Sequence, residues 1–197
     1  MISLPDYLKK YLELESTRNF LALAREYVKF CEIIIQKEDA GDILKSAQPL
    51  LTKIYAAGTQ LEEVPGDFPE EWVNYENTME EGAFDKFIDI ITKPIDEYLM
   101  CRFLVEPFTT NPATHQFFVS EVFSEMYREF KDNLYRLDHQ FNVNDVDVAL
   151  RFMKRGFVQL WGWDCAILLA ALHDPGYQNK MIVVKDAEIM SIRPSLN

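Results

Sequence analysis

The clearest indication of fold class is the segment at 160–172, which runs Leu-Trp-Gly-Trp-Asp-Cys-Ala-Ile-Leu-Leu-Ala-Ala-Leu. It is apolar on nearly every side of a helix, and such a helix is the one around which the others pack. The segment contains Asp164 and is shorter than the roughly 20 apolar residues of a membrane span. We therefore predict a buried C-terminal core helix that continues from the amphipathic residues upstream and ends near His173, before Asp174-Pro175-Gly176.

Working outward from this segment, apolar residues recur at the three- and four-residue spacing of a helix face in most of the chain. We expect Pro49 to kink its helix or to start a second segment of it, Pro94 to break the next helix, and helix as far as Phe103. Only residues 181–184 show the alternation of a strand. The pattern predicts a single all-α domain over 1–174, a helical bundle of about six to seven helices. Residues 175–197 form a C-terminal extension, either docked or flexible.

The charge balance limits the classes of partner. The chain has 32 Asp and Glu against 20 Lys and Arg, so its formal net charge is −12. Nucleic acids and anionic membrane surfaces select for basic patches. We therefore expect neither nucleic acid nor a membrane as a partner, and we expect an unidentified, basic protein instead. The sequence leaves a homodimer open.

The cysteines and the first residues of the chain indicate the compartment. Cys31, Cys101 and Cys165 are widely separated and lie among apolar neighbours, which is typical of buried, inert thiols in a reducing environment. The N-terminus has neither the basic nor the apolar segment of a signal peptide. These features predict a cytoplasmic protein.

Several kinds of catalytic chemistry have no motif in this sequence. It contains no phosphate-binding loop, no dinucleotide-binding glycine fingerprint and no nucleophile elbow. No two cysteines are paired at zinc-binding spacing, and none of the three histidines (His115, His139, His173) follows a glutamate at the spacing of di-iron bundles. We therefore expect no metal site and no cofactor, and the sequence favours a protein without catalytic activity.

Asp164 is the residue that the apolar pattern leaves unexplained. On one continuous helix it lies within about 60° of Met153 and Phe157, in the middle of the most apolar stripe. A buried carboxylate is costly unless it is paired, protonated or in contact with a wet cavity. Two interpretations stay open: a hydrogen bond to a Tyr, Arg or backbone group of another helix, or a ligand or catalytic pocket.

Trp161 and His173 complete the candidate ligand-binding set. A tryptophan such as Trp161 is more often a core-packing residue than a stacking platform for a ligand. His173 stands at a helix C-terminus, where an imidazolium interacts favourably with the helix dipole. Nine residues separate Asp164 from His173, so on a straight helix the two point in opposite directions. Only a break between them would bring both to one cavity.

A second candidate site is the acidic segment at 54–85, which holds nine Asp or Glu and no Lys or Arg after Ile54 and before Lys86. Trp72 lies among its carboxylates, and the residues we select as partner-binding are Trp72, Glu70, Glu71, Glu80 and Glu81. One interpretation is a solvated connector whose charge keeps the protein soluble. The other is an aromatic anchor ringed by acids that steers and holds a basic partner.

Residues 157–164 and 170–173, Phe-Val-Gln-Leu-Trp-Gly-Trp-Asp and Ala-Ala-Leu-His, resemble the C-terminal signature of the bacterial domain-of-unknown-function family DUF5063. Trp161, Gly162 and His173 match that signature, whereas Leu160 and Asp164 occupy two positions where the family has histidine. Residues 125–134, 20–31 and 50–58 are similar to its earlier helices. The resemblance implies an all-α fold of about this length and no assigned activity.

Together these observations predict an all-α protein that works by binding another protein, without chemistry of its own. An acidic inhibitor or immunity-type protein is one specific version of this hypothesis. The alternative is a small-molecule-binding protein or enzyme with a pocket around Asp164 between helices.

Overall fold

Seven α-helices and one pair of antiparallel strands account for most of the residues that the computed structural model describes, namely 3–40, 42–67, 69, 82–95, 100–104, 114–139 and 142–173. In chain order they are α1 (Asp6–Glu13), α2 (Glu15–Lys37), α3 (Ile43–Thr59), α4 (Ala83–Ile95), β1 (Met100–Leu104), β2 (Thr114–Phe118), α5 (Val119–His139), α6 (Val143–Gln159) and α7 (Trp161–Ala171). The predicted all-α single domain is confirmed. The expected C-terminal extension lies outside the described residues.

Helix α5 packs against α2, α4, α6 and α7, which is more helices than α7 contacts. Helix α7 contributes to the core, but the prediction that the other helices pack around it on every side is wrong, because Trp163 and Ala170 are exposed. Helix α7 packs against α3, α5 and α6, and Trp161, Cys165 and Leu168 are fully buried. The Cys165 thiol donates a hydrogen bond to the carbonyl of Leu51 in α3, at 3.1 Å. Cys31 is likewise a buried free thiol. None of the described helices combines the length and apolarity that a membrane span requires.

The C-terminal helix is broken at Leu160, so the prediction of one continuous helix is wrong. Leu160 has φ −134° and ψ −95°, outside the helical region, and the chain restarts as α7 at Trp161. Close packing at the break depends on Gly162, because a Cβ atom there would lie 1.9 Å from the carbonyl oxygen of Phe157. The break also overturns the helical phasing that placed Asp164 on the stripe of Met153 and Phe157.

Replacing Gly162 with alanine is expected to destabilise the fold by at least about 1–3 kcal/mol, the usual cost of overpacking. The atom in the way is backbone rather than a flexible side chain, so α6 and α7 must separate to admit the methyl group. The measurement is urea unfolding, with Ala170→Gly at an exposed position of α7 as the control. That control should cost only about 1 kcal/mol of helix propensity, and an equal effect of the two variants would contradict the tight junction.

Strands β1 and β2 replace part of a predicted helix. Met100 pairs with Phe118 and Leu104 with Thr114, whereas the sequence pattern predicts helix as far as Phe103. The spacing of apolar residues in β1 fits a helix. Its strand conformation depends on hydrogen bonds to β2, a separate segment of the chain, and local periodicity carries no information about such a partner. The alternation at 181–184, which is too short to form a sheet, lies outside the described residues.

Pro49 does not divide its helix into two segments. Helix α3 runs through Pro49 without interruption, and α4 includes Pro94. Pro49 is exposed and so is Lys45, one turn earlier. Water can therefore solvate the Lys45 carbonyl that the missing N–H leaves without a helical partner.

A cluster of long side chains that we call the loop anchor, made of Tyr11, Arg151 and Lys154, holds the residues after α3 against the bundle. All its bonds to 61–66 end on backbone carbonyls: Lys154 donates to Leu61 at 2.5 Å, Tyr11 to Glu62 at 2.7 Å, and Arg151 to Val64, Pro65 and Gly66 at 3.0, 2.7 and 2.7 Å. The helical pattern of α6 instead predicts that Arg151 and Lys154 face solvent. They are half-buried because the loop covers them.

Candidate functional site

Trp161 lies in the core rather than at a surface. Its ring stacks on Phe20 with centroids 4.9 Å apart, and it is fully buried. The indole N–H donates to the carbonyl of Met153 at 2.9 Å, which ties the start of α7 back onto α6. This candidate ligand-binding residue therefore packs in the core, where it stabilises the junction of α6 and α7.

Asp164 and His173 are not brought together. Asp164 is half-buried and lines a groove between α5 and α7. His173 is exposed, lies beyond the end of α7 and does not line that groove. The break that would have allowed a shared cavity occurs at Leu160, before both residues rather than between them.

The predicted partner-binding residues Glu70, Glu71, Trp72, Glu80 and Glu81 lie outside the described residues. The loop anchor holds the chain just before them. Within the described part of that segment, Glu62, Glu63 and Asp67 are exposed.

The groove at Asp164 has a volume of about 540 Å³ and is formed by α5, α6, the break at Leu160 and α7. One face of α5 contributes most of its wall, because side chains three and four residues apart share a helix face. Its acidic lining consists of Glu121, Glu125, Glu129, Asp132 and Asp164. Arg128, Arg136, Phe152 and Leu160 are also part of the wall.

Burial makes the two central carboxyl groups of the groove hard to ionise. It raises the pKa of Asp164 to about 7, and the negative charge of Glu125 acts in the same direction. Burial also raises the pKa of Glu129 to about 7, with further contributions from Asp164 and Glu125 that outweigh the opposing effect of Arg128. Near neutral pH, each of the two is thus close to its titration midpoint.

Two arginines, Arg128 and Arg136, line the groove together with these carboxyl groups. Arg128 forms an ion pair with Glu125 and lies 5.1 Å from the centre of the Phe84 ring. Among the described residues, no hydrogen-bond donor reaches the carboxylate of Asp164, so the predicted hydrogen bond to another helix is not found there. The carboxyl group instead faces a groove, one of the alternatives that its sequence position leaves open.

Glu129 is the residue of this groove that sequence reasoning missed. A Cβ atom at Gly156 would lie 2.8 Å from its Oε1 atom and 2.5 Å from Cδ1 of Trp161, so the glycine allows the carboxyl group to lie close to α6. The pattern on α5 predicts that Glu121, Glu125 and Arg128 form a solvated face. The buried Arg136 on the same face reflects the packing of α6 and α7 against it.

The raised pKa values predict that the protein loses stability as pH rises toward neutrality. In the folded state Asp164 and Glu129 hold protons up to about pH 7, whereas unfolded carboxyl groups lose them near pH 4. Folding therefore takes up protons between these values, and stability falls as pH rises through that window. Asp164→Asn should stabilise the protein at pH 8, on the order of 1 kcal/mol after allowance for partial exposure, and have little effect at pH 4.

Urea unfolding at the two pH values checks this prediction. Asp89→Asn, an exposed position on α4, provides the matched change of charge outside the groove. An Asp164→Asn variant that is no more stable than the parent at pH 8 would contradict the proposed burial of the carboxylate.

Comparison with known proteins assigns the chain to a family. Residues 13–178 match the model of DUF5063, a domain of unknown function, so the chain belongs to this family, as the resemblance around Trp161 implied. The crystal structure of protein BF1032 from Bacteroides fragilis is similar, with a TM-score of 0.60 and 19% sequence identity, over 85% of this chain and 96% of that chain. That likeness supports the fold. No curated protein matches the chain significantly.

Proposed function

We propose that this DUF5063 protein is a non-catalytic binding module that holds a basic protein partner in the groove between α5, α6 and α7. An acidic inhibitor or immunity-type protein would act in this way. The observation that carries the proposal is the pair of half-buried carboxyl groups, Asp164 and Glu129, set in a groove of about 540 Å³.

A cationic side chain of the partner would place a positive charge next to these two carboxyl groups. A lysine or arginine placed between the two carboxyl groups would favour their ionised forms and form charge-assisted hydrogen bonds, which are roughly twice as strong as neutral ones. Binding at neutral pH would therefore release protons from the groove. The net charge of −12 would accelerate the approach of a basic partner from a distance.

The test is calorimetric titration with a synthetic lysine-rich peptide. Replacing Asp164 with Asn and Glu129 with Gln should weaken binding by on the order of tenfold or more. The matched control replaces Glu13 and Glu15, exposed residues of α1 and α2, with Gln. Equal binding by both double variants would contradict the groove as the site.

The acidic segment is tested separately. Replacing Glu70, Glu71, Glu80 and Glu81 with Gln removes four negative charges and changes none of the residues that define the groove. If this segment steers the partner, association should slow and its salt dependence should decrease. An unchanged association rate would make the segment a connector and leave the groove as the only supported site.

A small cationic molecule is the second candidate ligand, as a small-molecule-binding protein or enzyme would require. The observation in its favour is the groove volume, which falls in the range of about 300–1,000 Å³ typical of small-molecule pockets. Titration with spermidine distinguishes the two. Spermidine binding as tight as that of the peptide, and equally sensitive to Asp164→Asn, would favour this candidate over a protein partner.

A further inference from the structure

We propose that an exposed apolar patch beside the groove is the second half of one docking surface, and that the partner segment it fits is an amphipathic basic helix. We define the apolar patch by Tyr55, Phe157, Val158, Trp163 and Ala166. This inference rests on the proposed function, because the groove is taken to hold the cationic side chains of the same segment.

The exposed apolar side chains of the patch lie next to one another on the surface. Seven large hydrophobic residues are exposed in the described part of the chain, and three of them, Tyr55, Val158 and Trp163, belong to the patch. A fourth, Leu160, lines the groove. Val158 is 60% exposed and Trp163 48%. Single exposed apolar residues need no explanation, whereas a contiguous group marks an interaction surface.

The patch surrounds a cavity of about 420 Å³. Its floor includes Phe157, whose ring meets that of Tyr55 edge-on at 5.5 Å between centroids, and Gly162 at the start of α7. Trp163 and Ala166 of α7 also line this cavity. A half-exposed tryptophan beside a cavity is the kind of residue that contributes most to a protein–protein contact.

The break at Leu160 joins the patch to the groove. Leu160 lines the groove, while Val158 and Trp163 on either side of it in the chain line the patch. Trp163 and Asp164 are consecutive residues, so their Cα atoms are about 3.8 Å apart, and they face the two different cavities. A partner segment that lies across α7 at this point would contact both.

Charge complementarity selects the occupant. Five carboxyl groups and two arginines line the groove next to the apolar patch. Carboxyl groups are in excess, so a fitting segment carries cationic side chains on one side and apolar side chains on the other. A second copy of the chain, docked about a two-fold axis at this face, would bring a second acidic groove toward the first. Repulsion between two chains of net charge −12 disfavours that arrangement.

The experiment uses the full chain and three synthetic helical peptides with the same spacing of residues. The first has lysines on one face and leucines on the other, the second has serines in place of the leucines, and the third has glutamates in place of the lysines. We expect the lysine–leucine peptide to bind about tenfold more tightly than the lysine–serine peptide. Trp163→Ala should abolish this preference, whereas Ile33→Ala, at an exposed apolar position on α2, should leave it unchanged.

The peptides separate failure of this inference from failure of the proposed function. Binding of the lysine–serine peptide reports the groove alone. If it binds in the groove and the leucines add nothing, the apolar patch is overturned while the proposed function stands. If neither lysine peptide binds, both fail. Equal binding of the glutamate–leucine peptide would overturn the pairing of patch and groove.

Two other occupants give different results, and either would overturn the proposal. A second copy would appear as a dimer in light scattering that Trp163→Ala dissociates. If residues 174–197 of the same chain occupy the patch, Trp163→Ala should lower the urea midpoint strongly and no peptide should bind.

Discussion

Replacing Arg151 with methionine is expected to lower the free energy of unfolding by about 3–5 kcal/mol, the usual cost of removing one partner from a buried ion pair. Its side chain is 10% exposed and that of Asp147, bonded at 2.8 Å, only 5%. The variant would leave Asp147 with the hydroxyl of Tyr7, at 3.2 Å, as its remaining donor in the described part of the chain. It would also remove the bonds from Arg151 to the loop at 61–66.

Urea unfolding measures this effect, and Arg155→Met is the matched control. Arg155 is exposed and one turn further along α6, where it bonds to Gln159. Its replacement should cost less than about 1 kcal/mol. Adding Asp147→Leu to Arg151→Met should recover part of the loss, because it removes the orphaned charge. Equal effects of the two arginine variants would contradict the buried pair.

Replacing Trp161 with alanine is expected to cost a similar amount, about 3–5 kcal/mol. This side chain is fully buried and contacts three aromatic rings, those of Phe20, Phe130 and Phe157, at 4.9, 5.3 and 5.0 Å between centroids. The variant would leave a cavity where α6 and α7 meet, and the Met153 carbonyl would lose the indole donor.

The neighbouring tryptophan provides the control for this prediction. Trp163 is half-exposed, so Trp163→Ala should shift the urea midpoint only slightly. Trp161→Phe should fall between the two, since it keeps an aromatic ring but loses the hydrogen bond to Met153. If Trp163→Ala were the more damaging of the alanine variants, the assignment of inner and outer face on α7 would be wrong.

The fold could be predicted from sequence where it depends on local periodicity. The apolar stripe beginning at Phe20 and the apolar composition of α7 identify buried helix faces without knowledge of their neighbours. The break at Leu160 could not be predicted in this way, because no proline marks it. It depends on Trp161 turning back to the carbonyl of Met153, a contact between two helices. Strands β1 and β2 could not be predicted for the same reason, since a strand needs a partner elsewhere in the chain.

The candidate site was predicted in part. The apolar surroundings of Asp164 single it out in the sequence, because a carboxylate is costly there. Its neighbours in the groove were not identifiable, since Glu129 and Glu125 belong to a face of α5 that has the pattern of an ordinary solvated surface. Whether such a face meets solvent or another helix is decided by packing between distant segments. The acidic stretch around Trp72 stays a prediction from the sequence.

The loop anchor binds residues 61–66 through their main-chain oxygens and not through their side chains. Each described bond from Tyr11, Arg151 and Lys154 to residues 61–66 ends on a main-chain oxygen, an atom that every amino acid offers in the same form. The side chains of Glu62 and Glu63 point to water. Leu61 and Val64 are buried in the core, so the freedom to change side chains in this loop is confined to exposed positions such as Glu62 and Glu63, where a protein engineer would insert a foreign epitope.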